Sequence, residues 1–286
     1  MKWVYEFFPA GGDSSNKDTS LSYGYAVTKS LFSEKSEYQQ VDVIENPLYG
    51  KALFLDQMMM TTEKDEFIYH ELLTHVPASR IERPERALII GGGDGGIARE
   101  LCKYPTLKEI IVAEIDKMVI DVSRKYLPTI ACSFDDPRVK VQLGDGAAFV
   151  ANQPDKSFDI ILVDSTEPIG PGITLYQEKF YKACCSKLKE GGQFAAQGLA
   201  PFIHEESQRL MYQTLKKAFN WVQPYMGVIP TYPTSLWLFF HASTKANDMD
   251  KIEASRLPKN TKYISKNMLK ACYTIPSFVE KNLSIN

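Results

Sequence analysis

Four acids in this 286-residue chain stand where a binding crevice would need them. Asp94 lies inside the glycine loop GGGDGG, Glu114 closes the run EIIVAE, Asp145 follows VKVQLG, and Asp164 ends FDIILVD. Continuous apolar runs of this kind read as buried parallel strands. Ligands of open α/β sheets bind outside the carboxyl ends of the strands, at the switch point of strand order. One such acid alone is most simply a solvated loop carboxylate. Four, at successive strand ends, predict a shared acidic site. A fifth, Glu167, follows Asp164 by three residues in VDSTEPIGPG, where prolines limit disorder and glycines permit hinge angles, as a lid requires.

The types of these residues narrow the ligand. Gly91, Gly93 and Gly96 let backbone approach a bound group closely, which invites a dinucleotide reading. Asp94 within the loop argues against it. A carboxylate there repels a pyrophosphate, and equally the amino-acid carboxylate of S-adenosylmethionine, but welcomes an ammonium group. Glu114, about twenty residues after the glycines, can accept hydrogen bonds from ribose hydroxyls. Asp145 could accept from an adenine amino group. A nucleoside without a phosphate is the expectation.

The elements that must position these acids follow from periodicity. Residues 1–62 lack a helical pattern, and YQQVDVIENPLYGKALFLDQ offers a strand, a turn at Asn46, Pro47 and Gly50, and a second strand. AGGDSSNKDTS reads as a surface loop. A small N-terminal β-strand domain over 1–62 is expected, followed by a Rossmann-like domain over 63–286. TEKDEFIYHELLTHV reads as a helix with Thr62 as its N-cap and Phe67, Leu72, Leu73 and Val76 on the apolar face. RALIIG, EIIVAE, VKVQLG, FDIILVD and GGQFAAQG then alternate with helical segments such as IARELCKY and EKFYKACCSKL. That alternation predicts an α/β fold, a Rossmann-like parallel sheet with helices on both faces. A helix around HEESQRLMYQTLKKAF precedes QPYMGVIPTY and LWLFFHAS, a strand pair at the sheet edge. The polar tail after Lys245 carries no clear pattern.

Bulk properties remove other classes. Hydrophobic residues at 44% and charged residues at 24% are ordinary for a globular protein. A net charge of −2 gives no electrostatic reason to expect nucleic acid. No apolar run approaches the roughly 20 residues that span a bilayer, so no membrane partner is expected. The first residues have no apolar signal-peptide stretch. Five cysteines without C-x-x-C spacing read as reduced thiols, hence a cytoplasmic protein. His70 and His75, five apart, do not share a helix face, so no metal site is expected. Met58, Met59 and Met60 read as packing. Tyr232, before Pro233, could present its hydroxyl and ring to a cation.

Taken together, the motifs SEYQQV, LFLDQMMMTTEKDEFIYHELLTHVP, ALIIGGGDGG, VAEID, DDPRVKVQLGDG, VDSTEPIGPG and IPTYP resemble the polyamine aminopropyltransferase family, its spermidine synthases above all. The resemblance runs in unbroken order from about Ser36 to Pro233. It implies a methyltransferase-type catalytic domain behind the β-strand domain, and a donor, decarboxylated S-adenosylmethionine, that is a co-substrate rather than a cofactor. The aminopropyl group would pass to putrescine, leaving methylthioadenosine. Carried over by motif, Gln39, Asp94, Glu114, Asp145 and Gly146 would bind the donor. Asp164 would act as general base with Tyr69 beside it. His70, Glu167 and Tyr232 would face the acceptor together with Asp164. The family also implies a homodimer or homotetramer.

Three positions depart from the family pattern. Glu167 stands where many relatives have Asp, Met60 where many have Gln, and Ser235 where Gly is common. Cadaverine, agmatine or spermidine therefore stay open as acceptors. A small-molecule methyltransferase is a rival with the same fold, disfavoured because Asp94 and Asp164 would crowd a methionine carboxylate. A non-catalytic nucleoside binder on a decayed fold is a third reading.

Overall fold

The computed structural model describes residues 2–9, 19–166, 170–246 and 254–285. At the N-terminus β1 (Lys2–Pro9) and β2 (Thr19–Val27) form an antiparallel ribbon. A separate antiparallel sheet follows, made of β3 (Lys29–Lys35), β4 (Gln40–Asn46), β5 (Gly50–Leu55) and β6 (Met58–Thr62). The turn expected between β4 and β5 is built by Asn46, whose Oδ1 accepts from the backbone N–H of Leu48 and Tyr49. Of the loop AGGDSSNKDTS, residues 10–18 lie outside the described residues, while Thr19 and Ser20 already belong to β2.

The second part is a seven-stranded sheet: β7 (Arg86–Gly91), β8 (Glu109–Glu114), β9 (Val139–Leu143), β10 (Phe158–Asp164), β11 (Leu188–Gln197), β12 (Trp221–Val228) and β13 (Leu236–Ser243). Their order is β12-β13-β11-β10-β7-β8-β9. β7 to β11 run parallel, and β13 inserts antiparallel between β11 and β12. The chain leaves β7 toward β8 and β9, then returns to the other side of β7 as β10. The switch point, where ligands bind such sheets, lies between β7 and β10.

Alternation of side chains along each strand divides the core in two. Ile89, Val112 and Leu162 face one layer, formed by α1 (Glu66–Ala78) and α2 (Gly96–Cys102). Beyond the switch strand the chain also forms α3 (Lys117–Tyr126), α4 (Pro128–Ala131), α5 (Gly146–Ala151), α6 (Glu178–Lys187) and α7 (Glu205–Ala218). Leu88, Ile90 and Ile161 face the opposite layer, where Phe180 and Cys184 of α6 and Leu215 of α7 pack. This is the expected α/β architecture, with helices on both faces behind a small β part.

Two local expectations fail. Thr62 ends β6 rather than capping α1, which begins four residues later behind Asp65. The Thr62 hydroxyl instead donates to Asp65 Oδ1 at 2.6 Å, and Asp65 Oδ2 accepts from Thr231 N at 2.9 Å. Those bonds use the carboxylate for a long-range tie, so no side chain caps the helix. The run QPYMGVIPTY also stops being strand at Val228, and Ile229–Ser235 form a turn closed by Ile229 N donating to Ser235 O.

The polar tail contains α8 (Lys266–Ala271) and α9 (Ser277–Leu283), which bury Leu269, Val279 and Leu283. Its approach to α1 is fixed by one carboxylate. Glu71, fully buried, accepts from the backbone N–H groups of Lys262, Tyr263 and Ile264 at 2.6, 2.7 and 2.9 Å. Hydrogen bonds to a charged group contribute about 1.5–3 kcal/mol each. Glu71→Gln turns one acceptor oxygen into a donor facing those N–H groups and should destabilise the protein by about 2–3 kcal/mol. The check is a lowered thermal midpoint together with faster proteolysis between residues 254 and 265.

Candidate active site

Gly91 and Asp164 are partners in the β7–β10 register. A Cβ on Gly91, at φ +80°, would lie 2.0 Å from the Asp164 carbonyl oxygen. Only glycine lets the loop after β7 cross the end of β10 so closely. The crossing opens a cavity of about 450 Å³, within the range of small-ligand sites. Asp94, Glu114, Asp145 and Asp164 all line it, so the four strand-end acids do converge. Tyr69, His70, Gln39, Gly146 and Tyr232 line it as well. Glu167 lies outside the described residues.

Asp164 and Tyr69 form the closest polar contact at the switch point, with the phenol donating to Oδ1 at 2.6 Å. Burial pushes the Asp164 carboxyl up to about 6, and the nearby charge of Asp94 adds to the rise. His70 and the Tyr69 hydrogen bond act in the opposite direction. Tyr69 is itself held well above its ordinary value by burial and by Asp164, so it serves as a proton-bearing donor.

Asp94 is not a free carboxylate awaiting an ammonium, as the sequence suggested. Its Oδ1 accepts from Gly96 N at 2.8 Å, and its Oδ2 is 3.1 Å from His70 Nε2. On the other edge of the ring, His70 Nδ1 donates to Glu66 Oε2 at 2.6 Å. Arg99 then grips Glu66 with two bonds, to Oε1 at 2.9 Å and Oε2 at 2.7 Å. Four charges thus alternate from Arg99 through Glu66 and His70 to Asp94. Burial alone would lower the His70 pKa, but Asp94 and Glu66 overcome it and raise it to about 10. The ring is therefore an imidazolium. Burial would likewise raise Asp94, yet His70 and the Gly96 N–H bring it below the usual carboxylate value.

The wall formed by Glu114, Gln39 and Asp145 is arranged differently. Glu114 Oε1 accepts from Asp116 N at 2.9 Å, and burial lifts the carboxyl to about 7. Gly93 presses against this group, for a Cβ there would lie 2.9 Å from Glu114 Oε2. Gln39 reaches the same region by donating to Asp116 Oδ2 at 3.0 Å, beside Ser36 on the same oxygen at 2.6 Å. Asp145 caps α5, its Oδ1 accepting from Ala147 N at 2.7 Å and Ala148 N at 3.3 Å. Gly146 follows with no room for a side chain, because a Cβ would meet Ile90 at 2.6 Å.

Tyr232 corrects an expectation about its hydroxyl, which donates to the Met60 carbonyl at 2.7 Å. Its ring, packed against Tyr69 and Trp237, remains to meet a ligand. The turn that carries it holds Thr234 and Ser235 at φ +59° and +58°, the left-handed region. That conformation explains why glycine suits position 235, and Ser235 adopts it nonetheless. His75 points away from the cavity, its ring buried between Glu100 (2.8 Å) and Tyr104 (3.0 Å).

The sequence reading missed Glu6 and Gln197, which also line the cavity. Glu6 was detectable. In β1, Trp3, Tyr5 and Phe7 are exposed while Glu6 and Phe8 are buried, so an acid occupies the inward register of an alternating strand. Gln197, the last residue of β11, donates to Ser165 O at 3.2 Å and to the Tyr176 hydroxyl at 2.9 Å. Nothing in its local sequence marks that role.

A glycine loop at the switch point of this sheet, over an acidic cavity, defines a Rossmann-like protein of the methyltransferase type. Comparison with known proteins narrows the class. Residues 66–252 match the Spermine/spermidine synthase domain, and residues 15–63 match the Spermidine synthase tetramerisation domain. The chain is 40% identical over 268 residues to a polyamine aminopropyltransferase of Thermoanaerobacter sp. strain X514, covering 93% of this chain and 96% of that one. It is 41% identical over 253 residues to that of Bacillus subtilis strain 168, covering 88% and 91%. The spermidine synthase of Thermotoga maritima superposes with a TM-score of 0.91 at 35% identity, over 100% of this chain and 95% of that one. A spermidine synthase crystallised with the transition-state analogue AdoDATO gives 0.92 at 36% identity, over 100% and 96%. The chain belongs to the spermidine synthase, or polyamine aminopropyltransferase, family, and is an aminopropyltransferase of that kind. The tetramerisation-domain match suggests an oligomer. Among the described residues no helix is long and apolar enough to cross a membrane.

Gly96 offers a direct test of the charged chain. A Cβ there would lie 2.1 Å from the His70 ring, so Gly96→Ala must displace the imidazolium from Asp94. Such overpacking costs about 1–3 kcal/mol. We expect a folded protein whose dissociation constant for a nucleoside bearing an aminopropyl chain rises about tenfold or more, about 1.4 kcal/mol for each tenfold. Calorimetric titration of the variant and parent reads it.

Proposed function

We propose that this chain is a spermidine synthase of the cytoplasm, which transfers the aminopropyl group of decarboxylated S-adenosylmethionine to putrescine and releases methylthioadenosine. The observation that carries this reading is the pair Asp164–Tyr69: a part-buried carboxylate raised to about 6, hydrogen-bonded by a phenol, in the lining of an acidic cavity. It goes with a division into an N-terminal β-strand domain over 1–62 and a catalytic domain over 63–286. Assembly is as a homodimer or homotetramer.

In this reading Glu114 accepts from the ribose hydroxyls and Asp145 from the adenine amino group, with Gly146 and Gln39 beside them. The chain of the donor extends toward Asp94, where its ammonium shares the carboxylate with His70. An intact S-adenosylmethionine would bring its own carboxylate against Asp94 and Asp164, and this disfavours methyl transfer. The acceptor's distal ammonium would meet Glu6 of β1 and the Tyr232 ring, and Glu167 is assigned to it by its motif alone.

An acceptor amine with a solution pKa of about 10 arrives protonated and cannot attack. Asp164 takes that proton. The amine lone pair then displaces the sulfonium from the aminopropyl carbon, forming the C–N bond as the C–S bond breaks toward neutral thioether. An Asp in water, near 3.9, is too weak a base; at about 6 the gap to the amine narrows, and exclusion of water narrows it further. Tyr69 holds the carboxylate in line. The remainder is alignment of two substrates, which can lower a barrier by roughly 7–11 kcal/mol at best.

The base must be ionised to act. Because the Asp164 pKa is raised to about 6, kcat/KM should be full above that pH and fall as pH drops through about 6. Asp164→Asn should reduce kcat by about 10²–10⁴ while donor affinity stays within a few fold. A variant that keeps its turnover would remove Asp164 from the mechanism. The acceptor is tested by initial rates with decarboxylated S-adenosylmethionine against putrescine, cadaverine, agmatine and spermidine. Putrescine should give the highest kcat/KM, and a higher value for any of the others reassigns the enzyme.

A further inference from the structure

The site contains a metal-ligand set that amine transfer does not use as such. His70, Asp94 and Asp164 offer one ring nitrogen and two carboxylates whose ligand atoms all lie within 4.8 Å of one another. His70 Nε2 and Asp94 Oδ2 are 3.1 Å apart. That separation is the ion pair of this structure; a tetrahedral centre with bonds of 2.0–2.1 Å has edges of about 3.3 Å, so an ion that replaces the shared proton requires the pair to open only slightly. Tyr69 takes Asp164 Oδ1, and no described side chain donates to its Oδ2.

The ring is also oriented as metal-binding imidazoles are. Glu66 Oε2 holds Nδ1 at 2.6 Å, leaving Nε2 to face the two aspartates, and Arg99 fixes Glu66 in turn. A carboxylate behind the distal nitrogen is the usual outer partner of a ligating histidine. No lysine or arginine is among the described residues that line the cavity, so the field there favours a cation. The open cavity leaves further coordination positions to water.

We infer that His70, Asp94 and Asp164 bind a divalent transition ion of the Zn²⁺ or Co²⁺ type, which inhibits by occupying the carboxylates that the substrate amines need. Nitrogen with two carboxylates suits Zn²⁺, Co²⁺ and Mn²⁺ better than Mg²⁺, which prefers all-oxygen octahedral sites and keeps its water. The ion takes the place of the proton on Nε2, and its second charge satisfies both aspartates at once. Its binding concerns the protein without substrates and stands apart from which amine is the acceptor.

The test is a Co²⁺ titration of the purified full chain in the absence of substrate, followed by visible absorption and reversed with Zn²⁺. We expect d–d bands that saturate at a single equivalent and disappear on adding Zn²⁺. His70→Gln and Asp94→Asn should each weaken binding by more than about a hundredfold, and Glu66→Gln, outside the ligand set, by about 10–100-fold. Unchanged affinity in His70→Gln or Asp94→Asn overturns the inference. X-ray absorption of the Zn²⁺-loaded parent protein gives a second reading that needs no variant: a shell of nitrogen and oxygen alone supports the site, and a Zn–S distance assigns the ion to a cysteine and overturns it. In steady state, Zn²⁺ should raise the apparent KM of the aminopropyl donor. Inhibition that leaves that KM unchanged places the ion elsewhere.

Discussion

The contact between His70 and Asp94 is the constraint on which the site depends. Asp94 is carried by a glycine loop into a position where a lone carboxylate would be costly, since removing one partner of a buried pair costs about 3–5 kcal/mol. The chain answers with an imidazolium, and the imidazolium needs Glu66, which needs Arg99. α1 supplies Glu66 and His70 one turn apart, and α2 supplies Arg99. The glycine loop, α1 and the first turns of α2 are therefore locked by charge as well as by packing.

The same constraint aims the proposed base. Adjacent residues on a helix are separated by about 100°. Tyr69 and His70 consequently diverge from α1, one to Asp164 at the end of β10 and the other to Asp94 after β7. Fixing one residue fixes the other. The N-terminal strands contribute from the far side: Tyr25 donates to Thr231 O at 2.9 Å, and Thr234 N donates to the Tyr23 hydroxyl at 2.8 Å. Together with Asp65 on Thr231, these bonds seat the turn that carries Tyr232. The small β part is thus a wall of the site.

Much of this was legible because it is periodic. Apolar runs ending on acids give the sheet, its switch point and the convergence of Asp94, Glu114, Asp145 and Asp164, since the pattern of one strand already specifies which end carries the acid. Pairings across the fold left no such trace. That Thr62 bonds Asp65 instead of capping α1, that Tyr232 spends its hydroxyl on Met60, and that His70 neutralises Asp94 all depend on residues far apart in sequence. Glu6 lies between these cases: the alternation of β1 announces an inward acid, but only the fold shows that inward means toward this cavity. Glu71 resembles its neighbours on α1 in sequence, and its partners 191 to 193 residues away make it a tie for the C-terminal segment.

The charges of the site explain how a chain with a net charge of only −2 can select cations. Arg99 balances Glu66 and His70 balances Asp94, so this inner chain is neutral overall. Around it Glu6, Glu114, Asp145 and Asp164 add further acids to the cavity lining, in which no lysine or arginine stands among the described residues. Burial raises carboxyl pKa, to about 7 for Glu114 and, against the opposing charge of His70, to about 6 for Asp164. The direction of both shifts is one that a positively charged ligand would reverse. A sulfonium, an ammonium and a diamine would each do so in part, and each would be drawn to a different wall. The feature that would make Asp164 basic enough for the proposed proton transfer is therefore the same one that would hold a cation beside it.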